Sequence, residues 1–157
     1  MNERLKSIVD LEKYPIYDLN SPIIKNLIKR CKEELDQFSC STIASFILPK
    51  SLEIMNLELE KQLDEVYMSK ESINPYLYAE DDPKLPNDHP KRTFMNRYNG
   101  YLNSDCFPKN SESKYLYESG ELLKFVSECL GVNPIYRWAD PLACHAYNVM
   151  NPEGILP

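Results

Sequence analysis

The sequence contains little glycine and little histidine. Four glycines occur in 157 residues, and none belongs to a Gly-x-Gly-x-x-Gly arrangement of the kind that cradles phosphate groups. Nucleotide-binding enzymes are therefore disfavoured. The two histidines are His89 and His145. Neither is followed two residues later by Asp or Glu, so the usual His-x-Asp or His-x-Glu signature of an iron site is missing.

Long apolar runs are also absent. No stretch approaches the roughly 18 apolar residues of a membrane helix, and the opening Met-Asn-Glu-Arg-Leu-Lys lacks the apolar core of a secretion signal. We therefore expect a cytoplasmic protein without a membrane partner. Five cysteines, an odd number with no Cys-x-x-Cys pair, predict reduced thiols rather than disulfides or a zinc site. A net charge of −6 argues against nucleic acid as a partner.

What is present is the composition of an ordinary globular protein, with 43% hydrophobic and 27% charged residues. A chain of 157 residues is long enough for one domain with a core and short for two. We therefore predict a single domain over residues 1–157. Helical patterns come first and strand patterns accumulate towards the end, which predicts an α+β fold.

Four helices are predicted. The clearest begins at Ser21-Pro22, where Ser can cap and Pro suits the first helical position. Its apolar face would hold Ile23, Ile24, Leu27, Ile28, Cys31 and Leu35. A second helix is predicted from Ser51 to about Met68, a short third over 113–118, and a fourth from Glu121 to Leu130, with Gly131 as its C-terminal cap.

Strands are predicted where apolar, β-branched and aromatic residues cluster between turns. These stretches are 38–48, 92–102, 135–138 and 143–150. Residues 69–90 hold four prolines among Asn and Asp and predict a long ordered loop, which in compact domains is often a lid or binding loop.

The histidines allow a structural and a functional interpretation. A structural role is favoured for His89, which lies in the Pro-rich loop. For His145, on a predicted strand, a hydrogen-bonded core or pocket histidine is favoured over direct catalysis. The adjacent Cys144 cannot act with His145 as a nucleophile and base pair, because neighbouring strand residues point to opposite faces.

Three arginines lie in apolar, strand-like surroundings, where a guanidinium group needs an acceptor. They are Arg92, Arg97 and Arg137. Asp105 or Asp140 could supply a structural ion pair, and this interpretation is favoured. The alternative is that the arginines bind the carboxylate of a substrate.

Several short phrases of the sequence occur in the same order in one known family. They are Val9–Pro15, Phe46–Pro49, Asp88–Arg92, Leu116–Glu118, Leu130–Gly131 and above all Ile135–Leu142, which reads Ile-Tyr-Arg-Trp-Ala-Asp-Pro-Leu. In these phrases and their spacing, across nearly the whole chain, the sequence resembles bacterial iron(II)/2-oxoglutarate-dependent oxygenases, specifically the group of lysine halogenases and related amino-acid hydroxylases.

This resemblance implies helices packed on the first strands of a double-stranded β-helix, or jelly roll, that is incomplete here. The complete enzymes of the family use iron(II) and 2-oxoglutarate to hydroxylate or halogenate an unactivated C–H bond of a free amino acid. In them, a stretch like Asn148–Gly154 leads into the His-x-Asp or His-x-Gly of the metal site, which does not occur here. We therefore expect an N-terminal half that is inactive alone and binds neither cofactor tightly.

The resemblance also implies roles for particular residues. Arg97 and His145 are expected to contact the amino-acid substrate, and Tyr147 and Asn148 to face 2-oxoglutarate. No catalytic or metal-binding residue is expected in this chain, and the missing C-terminal half is an expected partner. The alternatives are a non-catalytic binding or interaction module, and a structural half that a second chain completes.

Overall fold

A computed structural model describes residues 3–155 and confirms the α+β class. The helices are α1 (Glu3–Ile8), α2 (Pro22–Phe38), α3 (Pro49–Glu60), α4 (Glu112–Glu118) and α5 (Gly120–Leu130). The strands are β1 (Tyr67–Ile73), β2 (Met95–Leu102) and β3 (Tyr147–Val149), and they form one antiparallel sheet in the order β1-β2-β3. The jelly roll, which needs two sheets, stays a prediction.

Helix α2 forms where the sequence predicts it. Ser21 caps the helix by accepting a hydrogen bond on Oγ from the backbone N–H of Ile24, at 3.3 Å. The buried residues of its apolar face are Ile24, Leu27, Ile28 and Cys31. Ile23, also predicted on this face, is 55% exposed because its side chain lies at the edge of the buried stripe of the helix. No helix within residues 3–155 combines the length and apolar character needed to cross a bilayer.

The hydrophobic core lies among the helices and the segment after α1. It contains Leu5, Ile8, Val9, Leu11, Tyr14, Ile16, Ile24, Leu27, Ile28, Cys31, Met55, Phe125 and Cys129. None of these residues belongs to a strand. Burial and the neighbouring thiol of Cys31 raise the pKa of Cys129 to about 12, so the thiol stays protonated. All five cysteines are free, as predicted.

The segment predicted as a strand over 38–48 is instead a loop. Helix α2 extends to Phe38, and Ser39 and Ser45 take positive φ angles of 57° and 56°, which interrupt an extended backbone. The segment's apolar side chains pack on the helical core, and Ile47 forms an isolated bridge with Val9. Packing against helices therefore explains the apolar content that resembled a strand.

The second helix is shorter than predicted. Helix α3 ends at Glu60, and the chain turns through a 3-10 segment at Leu63–Glu65 before entering β1. Leu57 and Leu63 are each 48% exposed, so the apolar spacing did not mark a continuous buried face. The start of the predicted loop, from Ser69 to Ile73, is strand because it pairs with β2.

The remaining loop between β1 and β2 is ordered around Arg92. Its Nε and Nη2 atoms donate to the two carboxylate oxygens of Asp81, each at 2.9 Å. Its Nη1 atom donates to the carbonyl of Leu85 at 3.1 Å and to Oδ1 of Asn87 at 2.7 Å. The guanidinium group lowers the pKa of Asp81 through these hydrogen bonds. Arg92 is thus structural, as favoured, but the predicted partners Asp105 and Asp140 are wrong.

Residues 135–138 do not form the predicted strand. The backbone N–H of Trp138 donates to the hydroxyl of Tyr117 at 2.9 Å, and the Arg137 guanidinium donates to the carbonyl of Glu118. The segment is therefore fixed to the end of α4 rather than to a strand, and Trp138 is 67% exposed. For Arg137 too, the predicted Asp partners are wrong. Within the last predicted strand, 143–150, only β3 (Tyr147–Val149) forms a strand.

Gly100 lies on β2 where β1 packs closely against it. A Cβ added at Gly100 would overlap Sδ of Met68 and Cγ1 of Val66, and the β-branched Val66 has little freedom to move. We expect Gly100→Ala to lower the free energy of unfolding by about 1–3 kcal/mol in urea denaturation.

Gly120→Ala is the matched control, because a Cβ at Gly120, the first residue of α5, meets no atom within 4 Å. We expect this variant to be unchanged or up to about 1 kcal/mol more stable. Equal destabilisation by the two substitutions would contradict the close packing at Gly100.

Candidate functional site

Strand pairing places Arg97 and Asn148 on the same face of the sheet. Arg97, Asn99 and Tyr101 alternate along β2 and therefore share a face. Asn148 of β3 lies directly opposite Tyr101, and directly opposed residues project to the same side. We call the side that carries Glu71, Arg97, Asn99 and Asn148 the polar face.

Tyr147 and His145 lie on the other side. Tyr147 lies opposite Leu102, the neighbour of Tyr101 on β2. Because neighbouring strand residues point to opposite faces, the ring of Tyr147 projects away from the polar face. The ring of Tyr147 stacks on Phe107 with centroids 5.0 Å apart, and the His145 ring lies 5.7 Å from that of Tyr147. The structure thus separates Arg97 from His145 and Asn148 from Tyr147. The two members of each pair therefore face opposite sides of the sheet.

Arg97 is held by a neighbour on its own strand. Its Nε atom donates to Oδ1 of Asn99 at 2.8 Å, rather than to the predicted Asp105 or Asp140. Asn99 is fully buried, so this acceptor is fixed in place. The two terminal nitrogens of Arg97 have no hydrogen-bond or ion-pair partner within residues 3–155. A half-buried guanidinium group with its outer edge free is suited to bind a carboxylate through two parallel hydrogen bonds.

Asn99 itself carries an unsatisfied group. Its Nδ2 atom is buried and has no hydrogen-bond partner. An unpaired buried donor costs roughly 1–3 kcal/mol, so its presence in the sheet needs a compensating role. Fixing the orientation of the Arg97 side chain is the role that the contacts assign to it.

Glu71 is a residue of the site that sequence reasoning missed. It lies directly opposite Arg97 in the pairing of β1 with β2, which puts their Cβ atoms about 5 Å apart. No ion pair joins the two side chains within 4.0 Å, although their charges are opposite. Sequence reasoning placed Glu71 in a loop, and strand register, the signal that pairs it with Arg97, cannot be obtained from the sequence.

The surroundings of these charges include a cleft and an aromatic pair. Glu71 and Arg97 are among the residues that line a cleft of about 430 Å³, a size within the range of small-molecule sites. Two rows along the polar face, Tyr67 and Tyr101 are opposed, with ring centroids 5.4 Å apart. The polar face therefore carries the charges of Glu71 and Arg97 towards one end of the paired strands and the Tyr67–Tyr101 ring pair towards the other.

His145 belongs to a separate hydrogen-bonded chain that joins the region before β3 to the helices. Its Nε2 atom lies 3.0 Å from Oγ of Ser113, and that oxygen lies 2.9 Å from Oγ of Ser111. Ser111 donates to Oε2 of Glu58 in α3, at 2.8 Å. His145 is therefore a hydrogen-bonded, half-buried histidine, the interpretation that the sequence favoured. Burial, and then the charge of Lys114, lower its pKa.

The other sequence candidates have structural contacts. His89 accepts a hydrogen bond on Nδ1 from the backbone N–H of Lys91, at 3.1 Å, and so caps a short turn. The thiol of Cys144 lies 3.3 Å from Oγ of Ser104. The contact of His89 agrees with the structural role favoured for it.

The metal that the sequence resemblance implies does not fit the described residues. Among residues 3–155, no three His, Cys, Asp or Glu side chains lie close enough together to hold a metal ion. The described residues of the polar face are therefore candidates for binding an organic ligand rather than iron.

His145 makes stability depend on pH in a predictable direction. The folded protein disfavours protonated His145, whereas the unfolded chain binds this proton at its ordinary pKa of about 6.5. The unfolded state is thus favoured as the pH falls below about 6.5. We expect His145→Gln to reduce this loss of stability, measured by urea denaturation at several pH values.

The control is His89→Gln, which changes the only other histidine and lies in a different part of the chain. It should keep the pH dependence of the wild-type protein. If the two variants and the wild-type protein all lost stability equally below pH 6.5, the contribution of His145 would be disproved.

No protein-family model, curated protein or solved structure matches the chain. The oxygenase resemblance therefore depends on the sequence phrases given above.

Proposed function

We propose that the polar face of the sheet binds a free amino acid, and that the chain is the substrate-binding part of an iron(II)/2-oxoglutarate-dependent oxygenase. The observation that carries the proposal is the arrangement of Arg97, whose Nε is fixed by Asn99 while its outer nitrogens are free. The outer edge of this half-buried guanidinium group is therefore open to a carboxylate ligand.

The electrostatics of the whole chain favour this use of Arg97. With a net charge of −6, the chain does not attract anions in general. A carboxylate ligand therefore needs a specific local cation, and Arg97 is such a group on the polar face. Because its Nε is already held by Asn99, the Arg97 side chain loses little conformational freedom when a ligand binds. This raises the affinity for the ligand.

In the oxygenases that the sequence resembles, iron(II) and 2-oxoglutarate supply the hydroxylation or halogenation chemistry. The described residues would contribute binding and orientation of the amino acid, and iron would be held by other residues. Asn148 shares the face of Arg97 and remains a candidate for contact with the same ligand or with 2-oxoglutarate. For His145 and Tyr147, packing against Phe107 supports a structural role instead. A cytoplasmic location belongs to the proposal.

Arg97→Gln tests the binding site. The substitution removes the positive charge, so we expect the affinity for the best-binding member of the twenty common L-amino acids to fall roughly tenfold or more, given the strength of charge-assisted hydrogen bonds. Isothermal titration calorimetry on the full chain measures this.

Arg137→Gln is the matched control, because that guanidinium bonds to the carbonyl of Glu118 and lies outside the polar face. Its amino-acid affinity should equal that of the wild-type protein. Absence of amino-acid binding by the wild-type chain would contradict the proposed function. Tight iron(II) binding by the chain alone would contradict the division of roles between these residues and the metal site.

A further inference from the structure

We propose that Glu71 and Arg97 together recognise the two charged groups of an α-amino acid, with Arg97 binding the carboxylate and Glu71 the ammonium group. This inference rests on the proposed function and adds to it a second residue and a rule of selectivity. Its basis is the pairing of these two residues directly across β1 and β2.

Opposite charges in this position are expected to pair with each other. Directly opposed Glu and Arg side chains on one face of a sheet attract, and both are long enough to meet. Here no ion pair forms within 4.0 Å. The hydrogen bond from Nε of Arg97 to Asn99 explains this, because it holds the guanidinium towards the next row of the sheet, away from Glu71.

A zwitterionic ligand can bridge the two charges. The Cβ atoms of directly opposed residues lie about 5 Å apart, and the ammonium and carboxylate groups of an α-amino acid are separated by one carbon. Such a ligand can place its carboxylate against the outer edge of Arg97 and its ammonium group against the exposed carboxylate of Glu71. Both charges are then neutralised by a single molecule.

This arrangement predicts selectivity for the zwitterion. An analogue that lacks one of the two charged groups loses its hydrogen bonds to Glu71 or to Arg97. A carboxylic acid without the α-amino group should therefore bind more weakly, and so should an amino-acid amide without the carboxylate. The side chain of the amino acid takes no part in this discrimination.

Calorimetry with matched ligands tests the inference on the full chain. The probes are L-leucine, 4-methylpentanoate and L-leucinamide, with L-lysine, 6-aminohexanoate and L-lysinamide as a second set. For the wild-type protein we expect the amino acid of at least one set to bind roughly tenfold more tightly than the amide, which lacks the carboxylate. It should bind about two- to fivefold more tightly than the des-amino acid, because the missing ammonium group would meet the exposed Glu71. In Glu71→Gln, the amino acid should weaken to the level of the des-amino acid, whose own affinity should not change.

Glu33→Gln is the matched control, since Glu33 is exposed on α2 and does not line the cleft that contains Glu71 and Arg97. It should bind like the wild-type protein. If amino acids bind but Glu71→Gln leaves their affinity unchanged, the inference is wrong and the proposed function stands. If the des-amino acids bind as tightly as the amino acids, the role of Glu71 is likewise disproved. If no member of the two sets or of the twenty common amino acids binds, both proposals fail.

Discussion

The pairing of β2 with a strand on each side determines the arrangement of the candidate site. Because side chains alternate along a strand and directly opposed residues share a face, the register places Glu71, Arg97 and Asn148 on one side and Tyr147 on the other. A slip of one residue in the pairing with β1 would move Glu71 to the opposite face. The packing of Gly100 beneath β1 therefore matters for the site, since it allows the two strands to approach in this register.

The helices and the sheet have different roles. The helices hold the main core, to which the strands contribute no residue. Contacts around His145 join the two layers, through its hydrogen bond to Ser113 of α4 and its aromatic neighbours beside β3. Arg97 and His145, which the resemblance assigned to one ligand, therefore lie on opposite sides of the sheet.

The sequence predicted the elements whose signals are local. Capping and period located α2, and Gly131 with its positive φ of 67° ends α5 as expected. The elements that were predicted wrongly depend on tertiary contacts. Residues 38–48 contain side chains that pack on helices, and residues 67–73 form a strand only because β2 pairs with them. Alternation along β3 could have separated Tyr147 from Asn148. The match between Glu71 and Arg97 could not have been predicted, because it requires a register between strands separated by a long loop.

The central claim is that the polar face of the sheet binds an amino acid through Arg97. Nuclear magnetic resonance with a titrated amino acid tests this most directly, by following the Nε–H signal of Arg97 and the side-chain amide signals of Asn99, which are joined in the structure. The account predicts that these signals shift on titration together with the backbone amides of β1 and β2, while those of α2 and α5 stay in place. Shifts confined to the helices, or around His145, would contradict it.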